Sequence, residues 1–313
     1  MNRKAISVVM YPVILLGIMC FCFPHQNALS SALAESPSSL RLHTLQSKIF
    51  ANTRQIRVLL PPGYDLPVNR SRRYPVLYLN DGQNLFDVST SVFNPMEWKA
   101  DETSAQLIKQ KLIMPLIIVG VDNAGRSGRA NEYLPYEDKF LTPALPMPDG
   151  KKFPTFLTDE VMPFVNQIYR TRTDEAGTGI GGSSYGAIAA LYTVMTKPGV
   201  FGKLLLESPS LYIKESQLLK DAQNTPRWPD KVYIGVGTNE EGQQKCRPGD
   251  RSQDVVQDAL KLERTLRNAG MDKHRLVLRI EECAVHNEAA WAGRFPVALK
   301  FLYGTKKNGQ QNL

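Results

Sequence analysis

Gly177-Thr178-Gly179-Ile180-Gly181-Gly182-Ser183-Ser184-Tyr185-Gly186-Ala187-Ile188-Ala189-Ala190-Leu191-Tyr192 is the stretch that decides the fold. It reads as a short apolar strand, then Gly-x-Ser-x-Gly, then a helix rich in small residues, the setting in which such a pentapeptide becomes a nucleophile elbow. A sharp strand-to-helix turn holds its serine in a strained backbone conformation. Side chains at the flanking positions would collide, hence Gly182 and Gly186. Ala187, Ala189 and Ala190 let the helix lie close to a sheet, and the helix N-terminus aims amide hydrogens at a reacting group. Register makes Ser184 the nucleophile. Ser183 also has a glycine two residues before it, so register alone is not proof.

On either side of the elbow the texture is that of alternating strands and helices. Continuous apolar runs at 75–79, 116–121, 177–181, 203–206, 231–236 and 275–280 read as strands buried on both faces. Helical patterns fall at 98–111, 153–169, 185–195, 252–269 and 287–303. In the fourth, Val255, Ala259, Leu262, Leu266 and Ala269 share a face, Ser252 can cap the start and Gly270 ends it. Two alternating segments, 40–50 and 54–60, predict an antiparallel hairpin before the turn Pro61-Pro62-Gly63-Tyr64. The expectation is a mostly parallel central sheet with an antiparallel N-terminal hairpin and helices on both faces. The aperiodic stretches 123–152, 209–229 and 241–250 are expected to be loops, and loops beyond strand C-termini build the site in such sheets.

A serine hydroxyl needs a base to take its proton. His286 follows the last predicted strand and opens the final helix, whereas His43 lies in the hairpin and His274 precedes its strand. The orienting carboxylate is expected after a strand between Ser184 and His286. Gly237-Thr238-Asn239-Glu240-Glu241 supplies it, with Glu240 the first choice, Glu241 the second and Asp250 or a bare Ser–His pair the remaining readings. The chain order Ser, acid, His is that of α/β-hydrolases. Oxyanion donors are expected from the amides of Tyr185 and Gln83, the latter in Asn80-Asp81-Gly82-Gln83-Asn84, where Gly82 lets the backbone come close.

Residues 1–34 read as a signal peptide. A basic Asn2-Arg3-Lys4 precedes an apolar run from Ala5 to Phe23 and small residues up to Ala34, with cleavage after Ala34 favoured over Ser30 and an uncleaved anchor as the alternative. Residues 35–313 are then one domain, periplasmic or secreted. Export leaves Cys246 and Cys283 in the mature chain, where two thiols commonly pair, two isolated buried thiols being the alternative. Such a bridge would brace the acid loop against the histidine loop. The 313 residues carry a net charge of +8 with the basic residues scattered, so a solvated surface is the first reading, a mild attraction to anionic substrates or surfaces the alternative, and no nucleic-acid partner is expected. No Cys/His spacing suggests a metal, and no cofactor is expected.

Together with the elbow, the segments Arg57-Val58-Leu59-Leu60-Pro61-Pro62-Gly63-Tyr64, Tyr78-Leu79-Asn80-Asp81-Gly82-Gln83-Asn84, Ser208-Pro209-Ser210, Gly237-Thr238-Asn239-Glu240 and His286-Asn287-Glu288 resemble the esterase family that includes siderophore (enterochelin-type) esterases, feruloyl esterases, S-formylglutathione hydrolase and the mycolyltransferase antigens. The likeness runs from about residue 40 to 303. It implies the α/β-hydrolase fold, a Ser-Glu-His site on Ser184, Glu240 and His286, and Gln83 as second oxyanion donor. Trp98 and Arg129-Ala130-Asn131-Glu132-Tyr133 also resemble family features, and Arg129 and Glu132 are expected to organise the site loop. The implied activity is hydrolysis of a small-molecule or carbohydrate-linked ester through an acyl-enzyme. An acyltransferase on the same site, or a catalytically silent binding protein, are the alternatives.

Overall fold

The computed structural model describes residues 38–305 apart from 93–94, 140, 142 and 244. The expected leader at 1–34 lies outside the described residues. Among the described residues, no helix is long and apolar enough to cross a membrane.

Eight strands form one sheet: β1 (Ser39–Ser47), β2 (Asn52–Leu60), β3 (Val76–Asn80), β4 (Ile117–Val121), β5 (Thr178–Ser183), β6 (Lys203–Glu207), β7 (Lys231–Gly237) and β8 (Leu276–Glu281). Their order is β1-β2-β4-β3-β5-β6-β7-β8. β1 pairs antiparallel with β2, and β2 with β4, while every other pair is parallel. The hairpin and the mostly parallel sheet therefore stand as the sequence implied. From β3, which sits between β4 and β5, the chain winds outward in both directions. That switch point gathers the loops after the central strands at one edge.

The apolar runs are explained by two-sided burial, because successive strand residues face opposite sides. Val76, Tyr78, Ile180, Leu204, Leu206, Ile234 and Val236 pack on one face, beneath α3 (the helical segment 153–168), α4 (Tyr185–Thr196), α5 (Ile213–Ala222) and α6 (Asp254–Asn268). Leu77, Leu79, Ile118, Leu205 and Tyr233 pack on the other, beneath α1 (Ala100–Lys109) and α7 (Glu288–Tyr303). Each fully buried aliphatic side chain contributes about 1.5–3 kcal/mol, so these two layers are the main stabilising term. Segment 153–168 passes through a π-helical stretch, Phe156–Val161, before its last turns at Met162–Ile168.

Four local expectations are corrected. β8 is only half-buried, because it is the terminal strand of the sheet and lacks a neighbour on one side. Ser252 does not cap α6; Gln253 holds the N-cap position without a side-chain hydrogen bond. The stretch 123–152 contains a helix, α2 (Gly125–Tyr133), whose buried contacts are largely ionic and so leave no apolar period. The stretch 209–229 contains α5, in which Lys214, Glu215 and Ser216 adopt left-handed φ values of 51–57°. That offset puts Ile213 out of phase with Leu218, Leu219 and Ala222, which hides the helical pattern.

Cys246 and Cys283 are joined by a disulfide across a sequence separation of 37 residues. Closing a loop of that length removes chain entropy from the unfolded state, worth about 3–4 kcal/mol. Replacing both cysteines by alanine is expected to lower unfolding stability by about that amount, read from urea unfolding with midpoint and slope both fitted, the slope rising as the unfolded chain expands.

Candidate active site

Ser184 stands between β5 and α4 at φ 55° and ψ −125°, a region that side chains rarely adopt. Its amide donates to the Glu207 carbonyl at 2.9 Å, which pins the turn to β6. Ser183 is still in the strand and 3 % exposed. A Cβ on Gly182 would lie 2.8 Å from the Gly186 carbonyl carbon and oxygen. Nothing flexible can yield there. Gly182→Ala is expected to cost about 1–3 kcal/mol through overpacking. Gly293→Ala, where an added Cβ meets nothing within 4 Å on an exposed helix face, should instead gain about 0.5–1 kcal/mol. Thermal unfolding of the two variants in parallel measures the contrast.

His286 lies in the turn between β8 and α7, whose first turn is capped by Asn287 accepting from the Ala290 amide at 2.9 Å. Its Nδ1 meets Glu240 Oε2 at 2.7 Å. Glu240 closes the turn after β7, and its other oxygen accepts from Ser208 Oγ at 2.7 Å and from the Gly237 amide at 2.5 Å. Glu241 is exposed, its amide donating to Gln253 Oε1 at 3.4 Å, and Asp250 accepts from the Ser252 amide at the surface. Of the acids weighed, Glu240 is thus the one on the imidazole. His43 instead meets Tyr169 Oη at 2.5 Å, and exposed His274 donates its amide to Asp272.

Burial by itself would raise the Glu240 carboxyl. The hydrogen bond and charge of His286, with the Gly237 and Ser208 donors, outweigh it and hold the group below its ordinary value. A carboxyl lowered in the folded state stabilises the fold above its unfolded pKa and loses that contribution as pH falls through the folded value. The melting-temperature gap between wild type and Glu240→Gln is therefore expected to be widest near neutrality and to close on acidification below about pH 4.

The turn after β3 supplies the other half of the site. Gly82–Asn84 forms one tight turn entered through Asp81 at φ 58°. A Cβ on Gly82 would sit 2.5 Å from Gly120, so glycine is what lets this turn lie against β4. Asp81 is gripped bidentately by Arg129 at 2.8 and 2.7 Å and accepts from Asn123 Nδ2 at 2.6 Å. Arg129 thereby organises the turn, as expected. Glu132 pairs with Arg54 and Asn52 and so fixes α2 to the hairpin rather than holding the turn itself. The amides of Gln83 and Tyr185 both stand in the first turn of a helical segment, where no intrahelical acceptor exists.

Two contacts were not legible in the sequence. Ser184 Oγ meets Ser210 Oγ at 3.3 Å, while His286 Nε2 has no hydrogen bond among the described residues. Trp291, one turn into α7, lays its ring against His286 at 5.2 Å and donates from Nε1 to Ser208 Oγ at 2.9 Å. The Ser208-Pro209-Ser210 segment following a strand was the available signal. Trp98 packs beneath, 6.1 Å from Trp291. Behind Ser208, Arg294 pairs with Glu207 at 2.8 Å and Glu281 at 2.9 Å. Complete burial pushes the Glu207 carboxyl up to about 7 against the pull of Arg294. No group of His, Cys, Asp and Glu that could hold a metal occurs among the described residues.

The strand order, the antiparallel entry and the helices on both faces define an α/β-hydrolase fold, and with the comparisons that follow, a carboxylic ester hydrolase. The chain belongs to the esterase family: residues 47–302 match the family model described as "Putative esterase". It is 22% identical over 270 residues to the uncharacterized protein YbbA of Bacillus subtilis, covering 82% of this chain and 96% of that one. It is 26% identical over 201 residues to an endo-1,4-beta-xylanase/feruloyl esterase of Xylanibacter ruminicola, covering 63% of this chain and 24% of that enzyme. A siderophore enterobactin esterase of Emericella nidulans is 28% identical over 156 residues, 47% of this chain and 50% of its own. Among solved structures, a ferulic acid esterase superposes with a TM-score of 0.61 at 18% identity, covering 86% of this chain and 98% of its own. The enterobactin esterase FES from Shigella flexneri gives 0.64 at 18% identity, covering 84% and 58%.

Proposed function

We propose that this chain is an exported serine esterase acting through an acyl-enzyme, with Ser184 as nucleophile, His286 as general base and Glu240 as the orienting acid. The observation that carries the reading is the 2.7 Å contact of His286 Nδ1 with a buried Glu240, at the sheet edge where Ser184 sits in its strained turn. With Nδ1–H committed to Glu240, Nε2 is the nitrogen left to take a proton. Ser184 Oγ attacks the ester carbonyl carbon as its proton passes to Nε2, and the carbonyl π electrons move onto oxygen. The amides of Tyr185 and Gln83 are the donors for that oxyanion. Collapse expels the alcohol, which leaves with the proton from His286. Water, activated by the same nitrogen, then releases the acid and regenerates Ser184. In the resting site Ser184 faces Ser210, so the Ser–His bond forms on substrate binding, as apo geometries commonly allow.

The substrate class is small-molecule or carbohydrate-linked carboxylic esters, in keeping with the printed names of the feruloyl and siderophore relatives. Export rests on the leader pattern at 1–34 and is supported by the Cys246–Cys283 bridge, which persists in oxidising compartments. The test is a panel of p-nitrophenyl esters of graded chain length with methyl ferulate and a catecholate trilactone, alongside fluorophosphonate labelling mapped by peptide mass. Turnover of at least one ester and a single adduct on the Ser184 peptide are expected. An adduct elsewhere, or none, overturns the assignment.

A further inference from the structure

Ser208 is a polar residue in an unexpected backbone state. It follows β6, is fully buried, and has φ 44°, in the left-handed region where glycine is favoured and other residues are strained. Its amide donates to the Gly235 carbonyl at 2.7 Å, so glycine would satisfy the backbone equally well. The serine is explained by its hydroxyl.

The three partners of that hydroxyl fix what it does. A serine Oγ has one proton and two lone pairs. The indole Nε1 of Trp291, at 2.9 Å, and Nη2 of Arg294, at 3.3 Å, can only donate, so they occupy the lone pairs. The single proton is left for Glu240 Oε1 at 2.7 Å. Neither donor can drift. Arg294 is held through Nε by Glu207 and through Nη1 by Glu281, and the Trp291 ring is wedged against His286 and Trp98.

We propose that Ser208, clamped by Trp291 and Arg294, is the positioning residue that keeps the Glu240 carboxylate ionised and aimed at His286. The inference rests on the Ser184–His286–Glu240 assignment and adds to it a fixed donor that does not touch substrate. Removing the hydroxyl takes a hydrogen bond from the ionised form of Glu240. A bare carboxylate protonates more easily and raises the basicity of its histidine, and both effects move the acid limb of activity upward.

The experiment compares wild type, Ser208→Gly and Trp291→Phe in the pH dependence of kcat/KM on a p-nitrophenyl ester, with fluorophosphonate inactivation rates and melting temperatures alongside. Glycine relieves the left-handed backbone while deleting the hydroxyl, so stability and activity are read separately. Ser208→Gly is expected to lose about 10- to 100-fold in kcat/KM near neutrality and to shift the acid limb up by about one pH unit, because a hydrogen bond to an ionised group changes its ionisation about tenfold. Trp291→Phe keeps the ring against His286 but frees one lone pair, and the same limb should rise by about half as much. A folded Ser208→Gly with wild-type pH dependence overturns the proposal. If that variant does not fold, an unshifted Trp291→Phe overturns it in the same way. A wild type that neither turns over esters nor takes the label overturns the site assignment and this inference with it, whereas a labelled wild type beside unshifted variants overturns the inference alone.

Discussion

Ser184→Ala is expected to lower kcat for ester hydrolysis on the order of 10,000-fold or more and to abolish fluorophosphonate labelling. The magnitude follows from chemistry. Without the hydroxyl no acyl-enzyme forms, and only substrate orientation and the oxyanion donors remain to favour attack by water. Folding should be untouched, because alanine keeps a Cβ in the same conformation and the lost contact is a single 3.3 Å approach to Ser210. Ser184→Gly sharpens the test. At φ 55° and ψ −125° the serine is strained. Glycine should therefore gain about 1 kcal/mol of stability while losing the same activity. Opposite signs for stability and turnover at one position would show that the turn is kept strained for its chemistry. A Ser184→Ala protein that still hydrolyses the panel would remove the nucleophile from the mechanism.

Glu240→Gln is the second large effect, a loss on the order of 1,000- to 10,000-fold in kcat. An amide is nearly isosteric with the carboxylate, so the packing around Ser208 and Gly237 survives. The charge that stabilises the imidazolium does not, and the amide can present N–H to Nδ1 and so favour the wrong tautomer. Glu241→Gln, at an exposed residue without contact to His286, should leave kcat within about twofold. Steady-state kinetics on the two variants decide between neighbouring acids that one residue of register separates. Equal losses, or a loss on Glu241 alone, would reassign the acid.

Much of this arrangement could be read from the sequence because its causes are local. The elbow announces itself through glycines that close contact demands, and the buried strands announce themselves as unbroken apolar runs. His286 stands out because it opens a helix directly after a strand. What stayed hidden depends on contacts between distant segments. Helix α2 is secured by Arg54–Glu132 and Arg129–Asp81, partners 78 and 48 residues apart, and therefore carries no periodic apolar stripe. Ser208 and Trp291 meet across 83 residues, and neither position differs in type from ordinary loop serines and core tryptophans. The half-burial of β8 follows from its rank in the sheet, which composition does not encode.

The Cys246–Cys283 bridge bears on how firmly two loops of the candidate site are held together. Without it, the loop bearing Glu240 and the turn bearing His286 are tied through the Asn239 amide to Ala284 and the Cys283 amide to Thr238 Oγ1, bonds that open and close with local fluctuation. Oxidation converts that reversible fastening into a covalent one. With the disulfide reduced, the two loops would be held by those hydrogen bonds and the Glu240–His286 contact alone. The bridge therefore makes the spacing of the two loops a matter of covalent geometry and not of hydrogen bonding alone.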